Sequence, residues 1–359
     1  MRNNPNLDDP QVYKQYDAEG MLTHLHEMPQ LCQQAWQMAM NFDLPQDYPE
    51  VSKVVILGMG GSAIGGDLVS NLVASEATLP IIIHRDYNLP AFIDSKSLVI
   101  ASSYSGMTEE TLSSFKQALE TNSKKLVITT GGKLKIMAEE RNVPVFSFDY
   151  KAQPRAALPF SFLPILGFLQ RLGFINDKSA DVAETVEALG RLSQRINEGV
   201  SLSQNPAKQL ANRLYGYLPI IYGADILSEV AHRWKTQLNE NSKAWAFYEV
   251  SPELNHNAVV GYQFPHELVS KIVVVLLRSA YLPKRIQLRY QVTCQLLEKA
   301  KVSYQIVDGE GTSPLSQMMS LVLFGDYTSY YLAILYKIDP SPVEAIDYLK
   351  EQLSKDKRE

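Results

Sequence analysis

Short apolar runs alternate with longer segments of mixed polarity over the first half of the chain. The apolar runs predict buried strands, at 54–57, 80–84, 98–102, 125–129 and 144–148. The segments of mixed polarity have a helical pattern, at 21–40, from about 62, at 108–121 and at 133–140. A strand covered on both faces reads as a continuous apolar run, and strands separated by helices form parallel sheets. The pattern therefore predicts an α/β fold with a doubly wound parallel sheet.

The second half repeats this pattern in outline after a helical stretch at 160–212. Its predicted elements are strands at 219–222, 271–277 and 302–307, with a helix at 282–299. Three strands correspond between the halves, pairing 54–57 with 220–222, 98–102 with 272–277, and 126–129 with 304–307. Because two copies of one α/β unit explain this correspondence, we expect domains at 1–155 and 213–359, joined by a helical connection at 156–212.

Composition narrows the functional classes. The chain is 45% hydrophobic and 20% charged with a net charge of -5, and it contains no basic stripe. This balance is ordinary for a globular protein and disfavours nucleic acid as a partner. The N-terminus lacks an apolar leader and no apolar run is long enough to cross a membrane, so the sequence predicts a cytoplasmic protein. Only Cys32 and Cys294 are present, and they predict reduced thiols without metal-ligand spacing.

A glycine-rich turn follows the first strand, at Gly58-Met59-Gly60-Gly61-Ser62. Such a turn exposes backbone N–H groups at a helix N-terminus, which favours an anion. It formally fits a dinucleotide fingerprint, but the acidic residue that this motif needs is displaced to Asp86. The Lys-Ser/Thr of a Walker motif is absent. The turn therefore predicts a site for one phosphate monoester at Gly60, Gly61 and Ser62.

A second polar loop follows the strand at 98–102 and places three hydroxyls around one turn, at Ser103, Ser105 and Thr108. Hydroxyls and backbone amides at the positive end of a helix dipole can hold a phosphate. The alternative interpretation is an ordinary Ser/Thr-rich helix cap. Parallel strands end at the same edge of a sheet, where open α/β sheets bind ligands, so the glycine and serine loops together favour the phosphate site.

Two later polar stretches each carry one acid–base group, Glu240 at 239–243 and His256 at 251–257. Their alternative interpretations are a solvated charge at a helix end and a hydrogen-bonded loop histidine. The segment 232–235 reads as a basic helix face, with Trp234 in the core or at an interface. The pair His24 and His26 lies beside Glu27 but does not form the H-E-x-x-H zinc motif, so no metal site is predicted.

Five motifs occur in one order along the chain, Gly58–Asp67, Ser103–Thr111, Gln153-Pro154-Arg155, Asn239–Lys243 and Glu253–Asn257. In this combination the chain resembles the bifunctional phosphoglucose/phosphomannose isomerase family. The resemblance covers nearly the whole chain, including the terminal segment 339–343. It implies two SIS domains, each a doubly wound parallel sheet flanked by helices, with a sugar phosphate bound by the glycine and serine loops.

The resemblance also implies roles for individual residues in aldose–ketose isomerisation between glucose or mannose 6-phosphate and fructose 6-phosphate. Glu240 matches the base that moves a proton through a cis-enediol, and Arg155 matches the arginine that stabilises the enediolate. His256 and Lys350 match the ring-opening groups, with Lys355 and Lys357 left open as alternatives to Lys350. A homodimer is implied, with His256 contributed across the interface. No metal or cofactor is expected, because Glu and Arg cover both charge roles.

The chain departs from the family at two positions: Ala258 stands where the family usually has a carboxylate, and Met107 stands where it usually has Asn. Three other classes of protein are weaker fits. A non-catalytic SIS-domain sugar-phosphate regulator leaves Glu240, His256 and Arg155 unexplained. A glucosamine-phosphate synthase needs a glutaminase domain with a catalytic N-terminal cysteine. A dehydrogenase needs the missing ribose carboxylate.

Overall fold

The computed structural model describes residues 5–355. Within them the strands are β1 (Lys53–Leu57), β2 (Ile81–His84), β3 (Ser97–Ser102), β4 (Lys124–Thr129), β5 (Val145–Ser147), β6 (Leu218–Ala224), β7 (Phe247–Ser251), β8 (Ile272–Arg278) and β9 (Ser303–Asp308). The first five form one sheet, in the order β2-β1-β3-β4-β5, and the last four form a second, in the order β7-β6-β8-β9. All described strand pairs are parallel. The predicted α/β fold with parallel sheets is confirmed.

Helices flank both sheets. They are α1 (Pro10–Tyr16), α2 (Met21–Met40), α3 (Gly60–Val73), α4 (Glu109–Leu119), α5 (Gly132–Glu139), α6 (Leu158–Arg171), α7 (Ser179–Ile196), α8 (Pro206–Leu214), α9 (Ser228–Glu240), α10 (His266–Val269), α11 (Lys284–Ala300), α12 (Pro314–Leu335) and α13 (Glu344–Lys355). The predicted bounds of α2 are confirmed, and the segment 160–212 contains helices and no strand within the described residues, as expected.

The two sheets share one topology, which agrees with the repeated pattern in the sequence. β1 lies between β2 and β3, with Val55 opposite Ile82 and Val99. β6 lies between β7 and β8 in the same way, with Ile221 opposite Tyr248 and Val275. The sequence did not predict β7, because its residues are partly exposed and do not form an apolar run. The second sheet has no counterpart of β5 among the described residues.

The largest hydrophobic core lies between the two sheets. It joins the inner faces of both sheets to helices of the middle and C-terminal segments, including α6, α7 and α12. A smaller core covers the outer face of the first sheet under α4 and α5, and another covers the outer face of the second sheet under α11. Helices therefore lie on both faces of each sheet, as a doubly wound fold requires.

Helix α12 runs through the main core with almost every side chain buried. It is the one helix in the described part of the chain that is long and apolar enough to cross a membrane, but it is entirely enclosed by protein. Tyr327, Tyr330 and Tyr331 lie on this helix and pack in the main core. Cys32 and Cys294 are free and buried, so neither is part of a disulfide in the structure.

Candidate functional site

The glycine turn joins the end of β1 to the start of α3. No side chain caps this helix in the described structure, and its first residue, Gly60, has a left-handed backbone conformation with φ 49°. The first N–H groups of a helix have no acceptor within it, so an uncapped start can bind an anion. Gly61 lies against the backbone of the next functional segment: a Cβ there would be 3.0 Å from the Pro154 carbonyl oxygen and 3.2 Å from Arg155 Cα. A side chain at this position would therefore push the two segments apart by a few tenths of an ångström.

The serine loop lies directly beside the glycine turn. The backbone N–H of Tyr104 donates to Ser62 Oγ at 3.0 Å, which joins the two loops. Ser103 Oγ and Thr108 Oγ1 are 2.9 Å apart, and Ser105 is exposed, its Oγ accepting from the Met107 N–H at 3.2 Å. Thr108 precedes α4 but makes no capping hydrogen bond with its side chain. The two loops predicted to hold a phosphate are therefore adjacent.

Among the predicted site residues, Arg155 makes the largest number of side-chain hydrogen bonds. It is 3% exposed, in a short turn at Pro154–Ala157. Its Nε donates to Asn241 Oδ1 at 2.6 Å, and its Nη2 donates to the carbonyl oxygens of Pro340 at 2.7 Å and Ser341 at 2.9 Å. Burial lowers the pKa of Arg155 from its ordinary value. An arginine pKa begins far above neutrality, so the guanidinium remains charged.

Glu240 is the last residue of α9 and lies beside the remaining face of the Arg155 guanidinium. Its Oε2 is 3.4 Å from Arg155 Nη1, and its side chain is 28% exposed. This is the only hydrogen-bond partner of the Glu240 carboxylate among the described residues. The carboxylate thus has one fixed cationic neighbour and access to solvent or ligand, which rejects the alternative of a fully solvated helix-end charge.

A buried polar network holds the Arg155 segment from behind. Arg233 donates from Nη2 to the Arg155 carbonyl oxygen at 3.1 Å and to Asp326 Oδ2 at 2.7 Å. Asp326 also accepts from Gln237 at 2.8 Å, and Asn241 donates to Ser329 Oγ at 2.9 Å. Such a fully buried pair stabilises the fold only when it keeps these partners, because an unpaired buried charge is costly.

The interpretation of 232–235 as a basic helix face is wrong for Arg233, which is 1% exposed and paired. The reason is that Asp326 comes from the distant helix α12. The sequence nevertheless contained a pattern that indicates this buried polar network. Polar residues recur every four positions at Arg233, Gln237 and Asn241, along one side of α9 and its C-cap, and the last of them directly follows Glu240. Trp234 is buried in the core, which was one of the two positions predicted for it.

Lys243 joins α9 to the terminal segment beside Arg155. Its Nζ donates to the carbonyl oxygens of Glu240 at 2.8 Å, Pro340 at 2.9 Å and Asp339 at 3.1 Å. Burial, and then the neighbouring Arg155 charge, lower the pKa of Lys243 to about 8. Lys243 lies in the motif 239–243, where the sequence indicated no role for it; in the structure it donates to the same Pro340 carbonyl oxygen that accepts from Arg155.

The other two predicted catalytic residues lie outside this cluster in the single chain. His256 is exposed in the turn Glu253–His256 after β7, and Lys350 is exposed on α13. Neither side chain has a hydrogen bond or ion pair within residues 5–355. Of the alternative lysines, Lys355 pairs with Glu351 at 2.7 Å, and Lys357 lies outside the described residues. The roles of His256 and Lys350 stay predictions.

Two groups of side chains could be considered for a metal, and both have other partners. Asp67, Glu229 and His232 place ligand atoms within 4.8 Å of one another, but the Arg85 guanidinium is ion-paired with Asp67 and already supplies the positive charge. The histidines of α2 point to separate partners: His24 contacts the Tyr150 hydroxyl at 2.6 Å, and His26 contacts Glu198 at 2.9 Å.

The site as a whole combines three chemical capacities in one place. The paired loops can hold a phosphate, Glu240 can accept and return a proton, and Arg155 supplies a fixed positive charge within 3.4 Å of that carboxylate. A base beside a buried cation suits proton abstraction next to a carbonyl, where negative charge develops on oxygen. The arrangement therefore fits proton transfer on a phosphorylated carbonyl compound.

Comparison with known proteins agrees with this chemistry. Residues 203–353 match the family described as "Bacterial phospho-glucose isomerase C-terminal SIS domain". A bifunctional phosphoglucose/phosphomannose isomerase from Caldicellulosiruptor bescii is 42% identical over 335 residues, covering 93% of this chain and 99% of that protein. The protein of that name from Aquifex aeolicus is 36% identical, covering 87% and 94%. Among solved structures, the C-terminal domain of a Francisella tularensis glucosamine-fructose-6-phosphate aminotransferase has the same fold, with TM-score 0.71, 16% identity, and 90% and 98% coverage.

Proposed function

This chain belongs to the bifunctional phosphoglucose/phosphomannose isomerase family, and from that premise we propose that it interconverts glucose 6-phosphate and mannose 6-phosphate with fructose 6-phosphate through a cis-enediol. The observation that carries the proposal is the contact between Glu240 and Arg155 beside the two loops. Glu240 Oε2 is 3.4 Å from Arg155 Nη1, and the Arg155 backbone lies against Gly61. One site then serves both the phosphate and the reacting carbons.

In the proposed mechanism the substrate's phosphate binds the N–H groups of Gly60 and Gly61 and the hydroxyls of Ser62, Ser103, Ser105 and Thr108. Glu240 takes a proton from C1 of the open-chain ketose, and the electron pair of that C–H bond forms the C1–C2 double bond. The C2 oxygen gains negative charge, which the Arg155 guanidinium stabilises. The hydroxyl proton then moves from O1 to O2, which leaves the negative charge on O1. Glu240 returns its proton to C2 as the O1 electron pair forms the C1 carbonyl, and the face of C2 that receives the proton determines whether glucose or mannose 6-phosphate forms.

Ring opening and assembly complete the proposal. His256 and Lys350 act on the ring oxygen and the anomeric hydroxyl, and His256 reaches the site from the neighbouring subunit of a homodimer. Its exposure and its lack of a partner within the described chain support a role at an interface. We also propose that residues 1–155 and 213–359 form two domains joined by a helical connection at 156–212. The proposed location of the protein is the cytoplasm. The proposed steps use no metal or cofactor.

The direct test is a coupled assay of the purified protein with fructose 6-phosphate that measures both aldose products. We expect both to form. The alternative, a sugar-phosphate-binding regulator without chemistry, predicts ligand binding with neither product. That alternative is disfavoured because it gives no role to a carboxylate held 3.4 Å from a buried guanidinium.

A matched pair of serine variants tests the phosphate site. Ser105→Ala should raise the KM for fructose 6-phosphate about tenfold and change kcat less than about threefold, because one hydrogen bond to a charged group is lost in both ground and transition states. The Ki of inorganic phosphate should rise in parallel. Ser113→Ala on α4 serves as the control and should behave like the wild type. An unchanged KM in Ser105→Ala would remove this hydroxyl from the site.

A further inference from the structure

A cavity of about 300 Å³ lies on the outer face of the second sheet. Its wall contains side chains of β6 and β7 together with the segment that links β7 to β8. Helix α9, which ends at Glu240, packs on the inner face of the same sheet, where Leu238 and Ile221 belong to the main core. Tyr222 belongs instead to the outer core. The cavity is therefore separated from the proposed catalytic site by the sheet itself.

The cavity exists because the link between β7 and β8 contains no long helix. It consists of two short turns, Glu253–His256 and Ala258–Gly261, followed by the four-residue α10. The crossovers that contain α9 and α11 cover the sheet with 13 and 17 helical residues. The shorter elements leave a space over the sheet, and they also leave Phe264 70% exposed at its rim.

The wall of the cavity is aromatic. Tyr222, Tyr262, Phe247 and Phe264 line it, and the Tyr222 hydroxyl donates to the Tyr262 hydroxyl at 3.1 Å. The two tyrosine hydroxyls therefore hydrogen-bond to each other and not to a charged group. Faces of aromatic rings carry partial negative charge and attract cations.

One carboxylate, Glu249, belongs to this aromatic wall. The parallel register places Glu249 opposite Tyr222, so both side chains project from the same face of the sheet. Glu249 is half-buried, and its carboxylate has no hydrogen bond or ion pair among residues 5–355. Burial raises the pKa of Tyr222 and of Tyr262, and the nearby Glu249 charge adds to both increases. A half-buried carboxylate that lacks a partner and lies among aromatic side chains favours the binding of a positively charged group.

We propose that this cavity binds a small organic cation with an ammonium or guanidinium group. The positive charge lies against Glu249 and the tyrosine rings, and the apolar part of the ligand fills the space between the strands and Phe264. The volume suits a compact ligand, because cavities of about 300 Å³ are at the small end of ligand pockets. Within one chain the cavity and the Glu240 site lie on different faces of the sheet, so the cavity is distinct from the catalytic site of its own chain, and the link that lines it also carries His256.

Calorimetric titration with choline and with its neutral isostere 3,3-dimethyl-1-butanol tests the charge requirement. The wild-type protein should bind choline at least about tenfold more tightly than the isostere, because only choline can pair with Glu249. Saturating fructose 6-phosphate should leave the choline affinity unchanged within about twofold, because the sites are separate. Equal affinity for the two probes, absence of saturation by choline, or competition by fructose 6-phosphate would overturn the proposal.

Two variants with one control identify the residues. Glu249→Gln keeps the side chain's shape and should weaken choline binding about tenfold, while the nearby exposed Glu267→Gln should bind like the wild type. Tyr262→Leu should also weaken choline binding, because it removes one ring. Thermal unfolding of each variant verifies that the fold is kept. Wild-type affinity in Glu249→Gln would contradict the assignment.

Discussion

Replacing Glu240 by Gln lowers kcat for isomerisation about 10³-fold or more, while fructose 6-phosphate still binds. Gln has nearly the shape of Glu but cannot accept the C1 proton at neutral pH. The hydrogen-bonding position 3.4 Å from Arg155 Nη1 is kept, so the loss falls on proton transfer and not on the fold. The measurement is steady-state kinetics with both aldose products, combined with calorimetric binding of fructose 6-phosphate.

The control for this variant is Glu187→Gln, a carboxylate exposed on α7 that pairs with Arg191 on the same helix. It should retain kcat and KM within about twofold, since surface substitutions of this kind change little. Full activity in Glu240→Gln would contradict the assignment of the base. Loss of binding together with activity would instead assign Glu240 to holding the substrate.

Replacing Arg155 by Lys lowers kcat about 10²–10³-fold with a smaller effect on KM. The arginine uses Nε and Nη2 to hold Asn241 and the carbonyl groups of Pro340 and Ser341, and it presents Nη1 to Glu240. A lysine ammonium keeps the positive charge but has no planar fork, so it cannot make these contacts and also face the enediolate.

The control is Arg213→Lys, an arginine exposed on α8, which should retain wild-type kinetics. Thermal unfolding of Arg155→Lys separates lost chemistry from lost folding, because Asn241 Oδ1 and the Ser341 carbonyl oxygen lose this donor and the Pro340 carbonyl oxygen keeps only Lys243. A rise in KM with kcat unchanged would show that Arg155 binds ground and transition states equally, and it would remove its role at the enediolate.

The sequence was sufficient for most of the fold, because buried parallel strands and amphipathic helices have distinct patterns. It missed β7, where the exposed Phe247 and the half-buried Glu249 break the apolar run. It also gave no bounds for α12. The helix has polar residues on all sides, such as Asp326 and Ser329, and they become buried only because other helices surround it.

For the site, the glycine and serine loops could be placed together from the sequence, since both follow parallel strands of one sheet. The hydrogen bond between Tyr104 and Ser62 shows that they do meet. The contact between Arg155 and Glu240 could not be worked out from spacing, because 85 residues separate them. The family resemblance named both residues as catalytic candidates. They come together because α9 packs against the turn Pro154–Ala157, which the sequence does not show. His256 and Lys350 lie away from this cluster in the single chain, so their roles stay predictions.

In the proposed mechanism, isomerisation proceeds by proton transfer through an enediol at Glu240. The most direct test is conversion of fructose 6-phosphate in D₂O, with deuterium at C2 of both aldose products measured by mass spectrometry and NMR. A proton held on a partly exposed carboxylate exchanges with solvent before it returns, so we predict deuterium at C2 of glucose 6-phosphate and of mannose 6-phosphate. Products whose C2 hydrogen comes entirely from C1 of the substrate would contradict the account, because they would indicate direct hydride transfer.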